Sequence, residues 1–164
     1  NGKIIRIMSE VKRISWEEIK HIWETQLWPN KAGGVKPYNK WTWRHPSRHF
    51  GFSYDMDVSP AFFGIHENDK LVAVNSCFMS NDWKDSVYFR SRGLWTDPEY
   101  RRRGYASSIL LETIKYAKEN GGTWLWTVPR KTSLVAYESV GLEQWSAWMD
   151  DLEFGPNCIA TKYL

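Results

Sequence analysis

The feature that most constrains this chain is a strand–helix–strand pattern over residues 86–129. "SVYFRSRGLWT" (86–96) is rich in β-favouring side chains and stops at Asp97-Pro98. A helical pattern opens near residue 104, with Ala106, Leu110, Ile114 and Ala117 on one stripe, and Asn120-Gly121-Gly122 ends it. "TWLWTVP" (123–129) then reads as a short buried strand. Two strands joined through a helix imply a right-handed crossover and parallel pairing.

The flanking segments fix what surrounds this unit. "KIIRIMS" (3–9) reads as a first strand. In "SWEEIKHIWETQLWP", Ser15 and Glu18 fit a capping box, and Trp16, Ile19, Ile22, Trp23 and Leu27 recur at helical spacing up to Pro29. Residues 30–60 have no sustained period and mix Gly, Pro, aromatic and basic residues, with room for a short helix; a segment of that kind in a compact domain is usually functional or disordered, and the aromatics argue against disorder. "AFFGIHE" and "KLVAVNSCFMS" flank Asn68-Asp69, a hairpin turn signal. One or two helical turns follow at 133–140, ended by Gly141, and two closing strands at about 142–149 and 157–163. The expected fold is α/β (α+β): one domain over 1–164, with a mixed, mostly antiparallel sheet of six to seven strands and helices on both faces. The loop at about 29–60 is left to one side.

Composition narrows the function. The net charge is +3, so a general polyanion binder is not implied and local clustering matters more than the total. Two cysteines without CxxC spacing and four scattered histidines give no zinc pattern, so no metal is expected. Cys77 lies in an apolar run, where a small buried side chain is expected. No apolar run approaches a membrane span and no signal-peptide pattern opens the chain, so the cytoplasm is the expected location. Eleven tryptophans, several outside the periodic segments, point to groove-lining aromatics.

Local clustering is strongest at "TDPEYRRRGYASSILLE" (96–112), where three arginines run into a helix start. The macrodipole already makes that end positive, so a bound anion would account for cations there. Gly104 allows close backbone approach, the first amides of a helix lack intrahelical partners, and guanidinium grips phosphate bidentately. Neither GxxxxGK[ST] nor GxGxxG occurs here.

The segment Arg101-Arg102-Arg103-Gly104-Tyr105-Ala106 resembles motif A of the GNAT (Gcn5-related N-acetyltransferase) family, Arg/Gln-x-x-Gly-x-Gly/Ala. "LWTDPEY" before it, the "LL" helix after it and "AYESVGL" beyond the next strand are similar to the family's pattern, and the likeness covers about 86–142. The resemblance implies an acetyl-CoA-dependent N-acetyltransferase whose cofactor lies where strands at about 88–96 and 123–128 splay apart. It implies pyrophosphate held by Arg101, Arg102, Arg103, Gly104, Tyr105 and Ala106, with Ser107 adding a hydroxyl, and pantetheine paired with Leu94, Trp95 and Thr96, which would also polarise the thioester carbonyl. An amine attacks the thioester directly, and Tyr137 returns a proton to the departing thiolate.

The likeness has departures. Arg130 stands where the family often has an Asn on the pantetheine arm; with Lys131 it either reaches coenzyme phosphates or is solvated. Arg92 either holds an acceptor carboxylate or is an outward charge. No base stands out among Glu99, Glu138, Asp55, Asp57 and His66. Trp41, Trp43, Tyr54, Trp145 and Trp148 are the candidate acceptor walls. Two other readings stay open: a non-catalytic acyl-CoA sensor of the same fold, and single-stranded nucleic-acid binding by "KPYNKWTWRHPSRHF" (36–50), which the modest charge and missing motifs disfavour. A monomer or a homodimer is expected.

Overall fold

The computed structural model describes residues 10–38, 41–44, 51–54, 59–150 and 155–164, with backbone alone for 41–44, 51–54 and Trp83. The strand expected at 3–9 lies outside these residues; the first described strand is β1, Lys12–Arg13. Helix α1, Trp16–Ile22, starts at the predicted capping box: Ser15 Oγ accepts from Glu18 N–H at 3.2 Å, and the Ser15 amide donates to the Glu18 carboxylate at 2.8 Å. Ile19 and Trp23 on its apolar stripe are fully buried. The helix does not continue as α to Pro29. It widens into a π turn over Trp23–Leu27, closed by Trp28 N–H donating to the Trp23 carbonyl at 2.8 Å.

The segment without a clear period contains a second, two-stranded antiparallel sheet: β2, Trp41–Arg44, and β3, Gly51–Tyr54, with Trp41 opposite Tyr54. Aromatic and β-branched residues suit such pairing, but four-residue strands are too short to register as a period.

Among the described residues, the main sheet has seven strands in the order β1, β4 (Ala61–Glu67), β5 (Lys70–Trp83), β6 (Ser86–Thr96), β7 (Trp124–Thr127), β9 (Ala160–Tyr163) and β8 (Glu143–Gln144). β4, Ala61–Glu67, and β5, Lys70–Trp83, form the predicted hairpin, and Asn68 and Asp69 both take positive φ, 49° and 64°, as a type I′ turn requires. β6, Ser86–Thr96, pairs antiparallel with β5 and parallel with β7, Trp124–Thr127, across the crossover helix α2, Tyr105–Glu119. α3, Lys131–Ser139, follows. The closing strands are shorter than expected: β8 is Glu143–Gln144 and β9 is Ala160–Tyr163. The ladder ends where Trp145 and Ser146 both donate to the Ile159 carbonyl, two residues against one, so regular pairing cannot continue.

β6 separates the two faces. Phe89 joins the core under α2 with Ile109, Leu110, Ile114 and Leu125, while Ser91 reaches α3 through Tyr137. Arg92 points the other way, onto Trp23 and Trp28 beside α1. The alternation slips at Gly93: Arg92 lies opposite Ser76 and Trp95 opposite Val74, so Gly93 and Leu94 face one residue of β5. This is a bulge with its glycine at φ 81°, and it bends β6 just beyond its last pair with β7. Cys77 and Cys158 are both buried and unbridged. Among the described residues, no helix is long and apolar enough to cross a membrane.

Candidate functional site

β6 and β7 pair from Tyr88–Trp124 to Arg90–Trp126 and then part. Thr127 Oγ1 donates to the Ser91 carbonyl at 3.0 Å and closes the fork. Past that point β6 runs on to Thr96 without a neighbour from β7, and a cleft of about 920 Å³ opens there. Its walls are the end of β6, the arginine–glycine turn, the start of α3 and the π turn after α1. The bulge is held from behind: the Trp23 indole N–H donates to the Gly93 carbonyl at 2.9 Å.

The turn before α2 is built from the inside out. Asp97 caps a short 3-10 turn, Pro98–Tyr100, by accepting from Glu99 N–H at 2.9 Å, and its other oxygen meets Lys70 Nζ at 2.9 Å. The Lys70 ammonium beside it, then the Glu99 amide, hold the Asp97 carboxyl below the ordinary carboxylate range. A lowered folded pKa means that this stabilisation is complete above the unfolded value, about 3.9, and is lost as pH falls through the lower folded value. Asp97→Asn should therefore lower the melting temperature at pH 7, and the gap to wild type should close towards pH 2; a gap of constant size across that range would refute the ionic role.

Arg101 Nε donates to the Thr96 carbonyl at 3.0 Å, which folds the turn back on β6. Arg102 takes φ 64° and Gly104 φ 84°, so two left-handed residues curl the backbone at the helix start. Gly104 is the N-cap; it supplies no side-chain cap, and the first turn has no acidic residue. The first reach back is Ser108 N–H to the Gly104 carbonyl at 3.0 Å, so the amides of Tyr105, Ala106 and Ser107 stand ahead of the helical ladder. A helix start uncapped among the described residues, beside basic side chains, suits an anion.

Of the predicted coenzyme-side residues, Leu94, Trp95, Thr96, Arg101, Arg102, Gly104, Tyr105, Ala106, Ser107 and Arg130 line the cleft. Arg103 is not among the lining residues; its guanidinium lies 5.0 Å from the Tyr100 ring centre. The Tyr105 hydroxyl donates to Glu67 at 2.7 Å, leaving its main chain to face the cleft, and the Ser107 hydroxyl meets that of Ser139 at 3.1 Å.

Tyr137 lines the cleft floor while only 2% exposed. Its hydroxyl is 2.8 Å from Ser91 Oγ. Behind it, Asn75 Nδ2 donates to Ser91 Oγ and to Thr113 Oγ1, both at 2.9 Å. Burial raises the phenol's pKa above its ordinary value, opposed by the Ser91 and Thr127 hydroxyls. A phenol so placed is protonated throughout the neutral range.

The acceptor-side expectations divide. Arg92 is not an outward charge: it is 4% exposed, its guanidinium lies 4.9 Å and 4.6 Å from the Trp23 and Trp28 ring centres, and Nη1 donates to the Lys36 and Pro37 carbonyls at 3.1 and 3.3 Å. Trp41, Trp43 and Tyr54 have their backbones in the β2–β3 pair, and their side chains lie outside the described residues, as do Asp55 and Asp57. Trp145 packs against Phe78, Tyr88, Trp126 and Ile159, and Trp148 lies under Lys131; neither lines the cleft. Glu99 and Glu138 are exposed outside it, and His66 is on β4, away from the fork.

Sequence reasoning missed Trp28, Lys31, Thr127 and Asn157, all on the cleft wall. Trp28 arrives through the π turn, which brings it within 5.3 Å of Trp23, centre to centre. Asn157, 6% exposed, donates from Nδ2 to the Val128 carbonyl at 3.1 Å, and its Oδ1 is buried with no hydrogen-bond partner among the described residues. Neither placement has a local signal; Asn157 is brought there by the returning chain, through isolated bridges to Arg130 and Met149.

The fold is similar to that of solved structures. Among solved structures, the putative acyl-CoA N-acyltransferase from Klebsiella pneumoniae subsp. pneumoniae MGH 78578 superposes with a TM-score of 0.62 at 10% identity, covering 96% of this chain and 98% of that one. A GNAT family acetyltransferase from Elizabethkingia anophelis with acetyl-CoA bound gives 0.50 at 15% identity, over 65% and 77%. PaiA N-acetyltransferase from Thermoplasma acidophilum, in complex with coenzyme A, gives 0.49 at 17% identity over 64% of this chain, and the match spans only 61% of that protein. No curated protein matches by sequence. The profile described as Acetyltransferase (GNAT) family matches residues 16–141, most of the chain, and the protein belongs to that family.

Proposed function

We propose that this protein is an acetyl-CoA-dependent N-acetyltransferase that acylates a primary amine. The observation carrying the reading is that the β6–β7 fork and the uncapped start of α2 open into one cleft. The residues fit the cosubstrate: at Gly104 no Cβ stands between the curled backbone and a diphosphate, and the amides of Tyr105, Ala106 and Ser107 would receive its oxygens, helped by Arg101 and Arg102. Val135, 70% exposed on the cleft face of α3, offers apolar contact to the coenzyme arm.

Bound acetyl-CoA would supply an activated thioester. Leu94, Trp95 and Thr96, on the free edge of β6, would orient that group and stabilise charge developing on its oxygen. Tyr137, kept protonated by burial, would return a proton to the sulfur. No Asp, Glu or His lines the cleft among the described residues, so the amine's proton would leave through water or to a group outside them.

Calorimetry with acetyl-CoA and thiol release with an amine panel test the reading. Gly104→Val forces a β-branched side chain into φ 84° at the anion site. It should weaken acetyl-CoA binding by about 10- to 100-fold, the loss of one or two charge-assisted hydrogen bonds. Unaltered affinity would remove the helix start from the binding site.

A further inference from the structure

We infer that Ser91 is a positioning residue for the proton transfer: its hydroxyl swings from Asn75 to Tyr137 and holds the phenolate left when Tyr137 gives up its proton. This rests on the transferase reading and goes further, to how so buried an acid is spent.

Tyr137 is 2% exposed, so a phenolate there has little access to water. A buried ionised group needs compensating partners. Arg90 favours the phenolate by its charge, and Cys77 opposes it. Thr127 Oγ1 donates to the Ser91 carbonyl at 3.0 Å, so turning that proton to the phenol would open the bond that closes the fork. Ser91 Oγ lies 2.8 Å from the phenol oxygen and is not tied in this way.

Ser91 is fully buried and has two places for its single proton. Asn75 presents both ends of its amide to it: Oδ1 at 3.2 Å, able to accept, and Nδ2 at 2.9 Å, able to donate. Thr113 fixes which end is which. Its hydroxyl donates to the Ile109 carbonyl at 2.8 Å, which leaves only lone pairs for Asn75, and Nδ2 donates to them at 2.9 Å. Asn75 and Thr113 are fully buried, so the arrangement is held inside the core.

At rest Ser91 donates to Asn75 Oδ1 through the longer bond, and the phenol donates to Ser91 Oγ. Both hydroxyl protons then swing about their C–O bonds. The phenol's turns to the cleft, Ser91's turns to the phenol oxygen, and Asn75 Nδ2 takes over at Ser91 Oγ. No heavy atom has to move. When the phenol protonates the departing sulfur, its O–H bond breaks, an S–H bond forms and the electron pair stays on the phenol oxygen. Asn75 Oδ1 gives up one long bond, and the phenolate gains a charge-assisted one of about twice the strength.

The test places 3,5-difluorotyrosine at position 137, a more acidic ring that titrates before strongly alkaline pH, and follows it by fluorine NMR. Ser91→Ala should lower the ring's ionisation constant by about tenfold or more, the loss of one hydrogen bond to a charged oxygen. With the natural tyrosine, thiol release with the best acceptor of the amine panel should show kcat about tenfold lower in Ser91→Ala, with acetyl-CoA affinity within about twofold. On a Tyr137→Phe background the same change should alter kcat by less than about twofold, because no phenolate forms there; a structural fault would carry over. A ring titration unmoved by Ser91→Ala, equal losses of kcat on both backgrounds, or near wild-type kcat in Tyr137→Phe would overturn the inference and leave acetyl transfer standing. If no amine releases thiol, the transferase reading fails, and the ring titration alone supports or rejects the Ser91 contact. Should Ser91→Ala not fold, Ser91→Cys replaces it in each measurement, since a thiol fills the site but donates weakly.

Discussion

Gly93→Ala is expected to cost about 2–5 kcal/mol of stability, a fall in melting temperature of roughly 5–15 °C for a chain of this length. Two effects add. Residue 93 holds φ 81°, where a side chain is strained by about 1–2 kcal/mol. A Cβ there would also come within 2.3 Å of the Trp23 ring, which cannot retreat easily because it is fully buried and bonded to the Gly93 carbonyl. Gly33 is the control: its φ is 77°, but nothing lies within 4 Å of a Cβ. Gly33→Ala should show backbone strain alone. The double change Gly93→Ala with Trp23→Leu should cost less than the two single changes summed, since it removes the clash. Should Gly93→Ala melt no lower than Gly33→Ala, the close packing of indole on bulge is not what holds β6.

Tyr137→Phe carries the largest expected effect on activity. If the phenol protonates the leaving sulfur, kcat should fall by about 10²–10⁴ while acetyl-CoA affinity stays within about twofold. The structural loss is smaller, roughly 1 kcal/mol for the hydrogen bond to Ser91. The size of the kcat loss separates the two roles, and the pH profile constrains the acid. An acid must be protonated to act, and burial raises this phenol's pKa, so Tyr137 should impose no alkaline fall in kcat below about pH 10. A variant with near wild-type kcat would leave Tyr137 as a buried packing residue.

Local chemistry made much of this protein legible. Ser15 and Glu18 fix the start of α1 because both partners lie within one turn. Asn68-Asp69 marks its hairpin because few residue pairs tolerate two positive φ angles. The bare glycine start of α2, preceded by three arginines, was visible because dipole and charge follow from neighbours in sequence. The π turn was not: the spacing of Trp23 and Leu27 suits an α-helix, and the widening serves an indole that bonds Gly93, far along the chain.

The acceptor side shows the limit most plainly. Arg92 alternates with Ser91 and Gly93 in the sequence, and alternation does not say which face is buried. That required the α1 tryptophans to come up against β6, turning a charge that reads equally as solvated into one 4% exposed. Asn157 reaches the cleft only because the chain's last strand returns beside β7.

By itself the sequence determined the β–α–β unit, the hairpin and the uncapped basic turn, since each depends on φ preferences, caps and charges within a few residues. Only the tertiary structure decided where β6 and β7 part, which arginines turn inward and which side chains without sequence signals face the cleft. Those outcomes depend on packing between segments distant in the chain, and the energy of such contacts is not encoded in any short stretch.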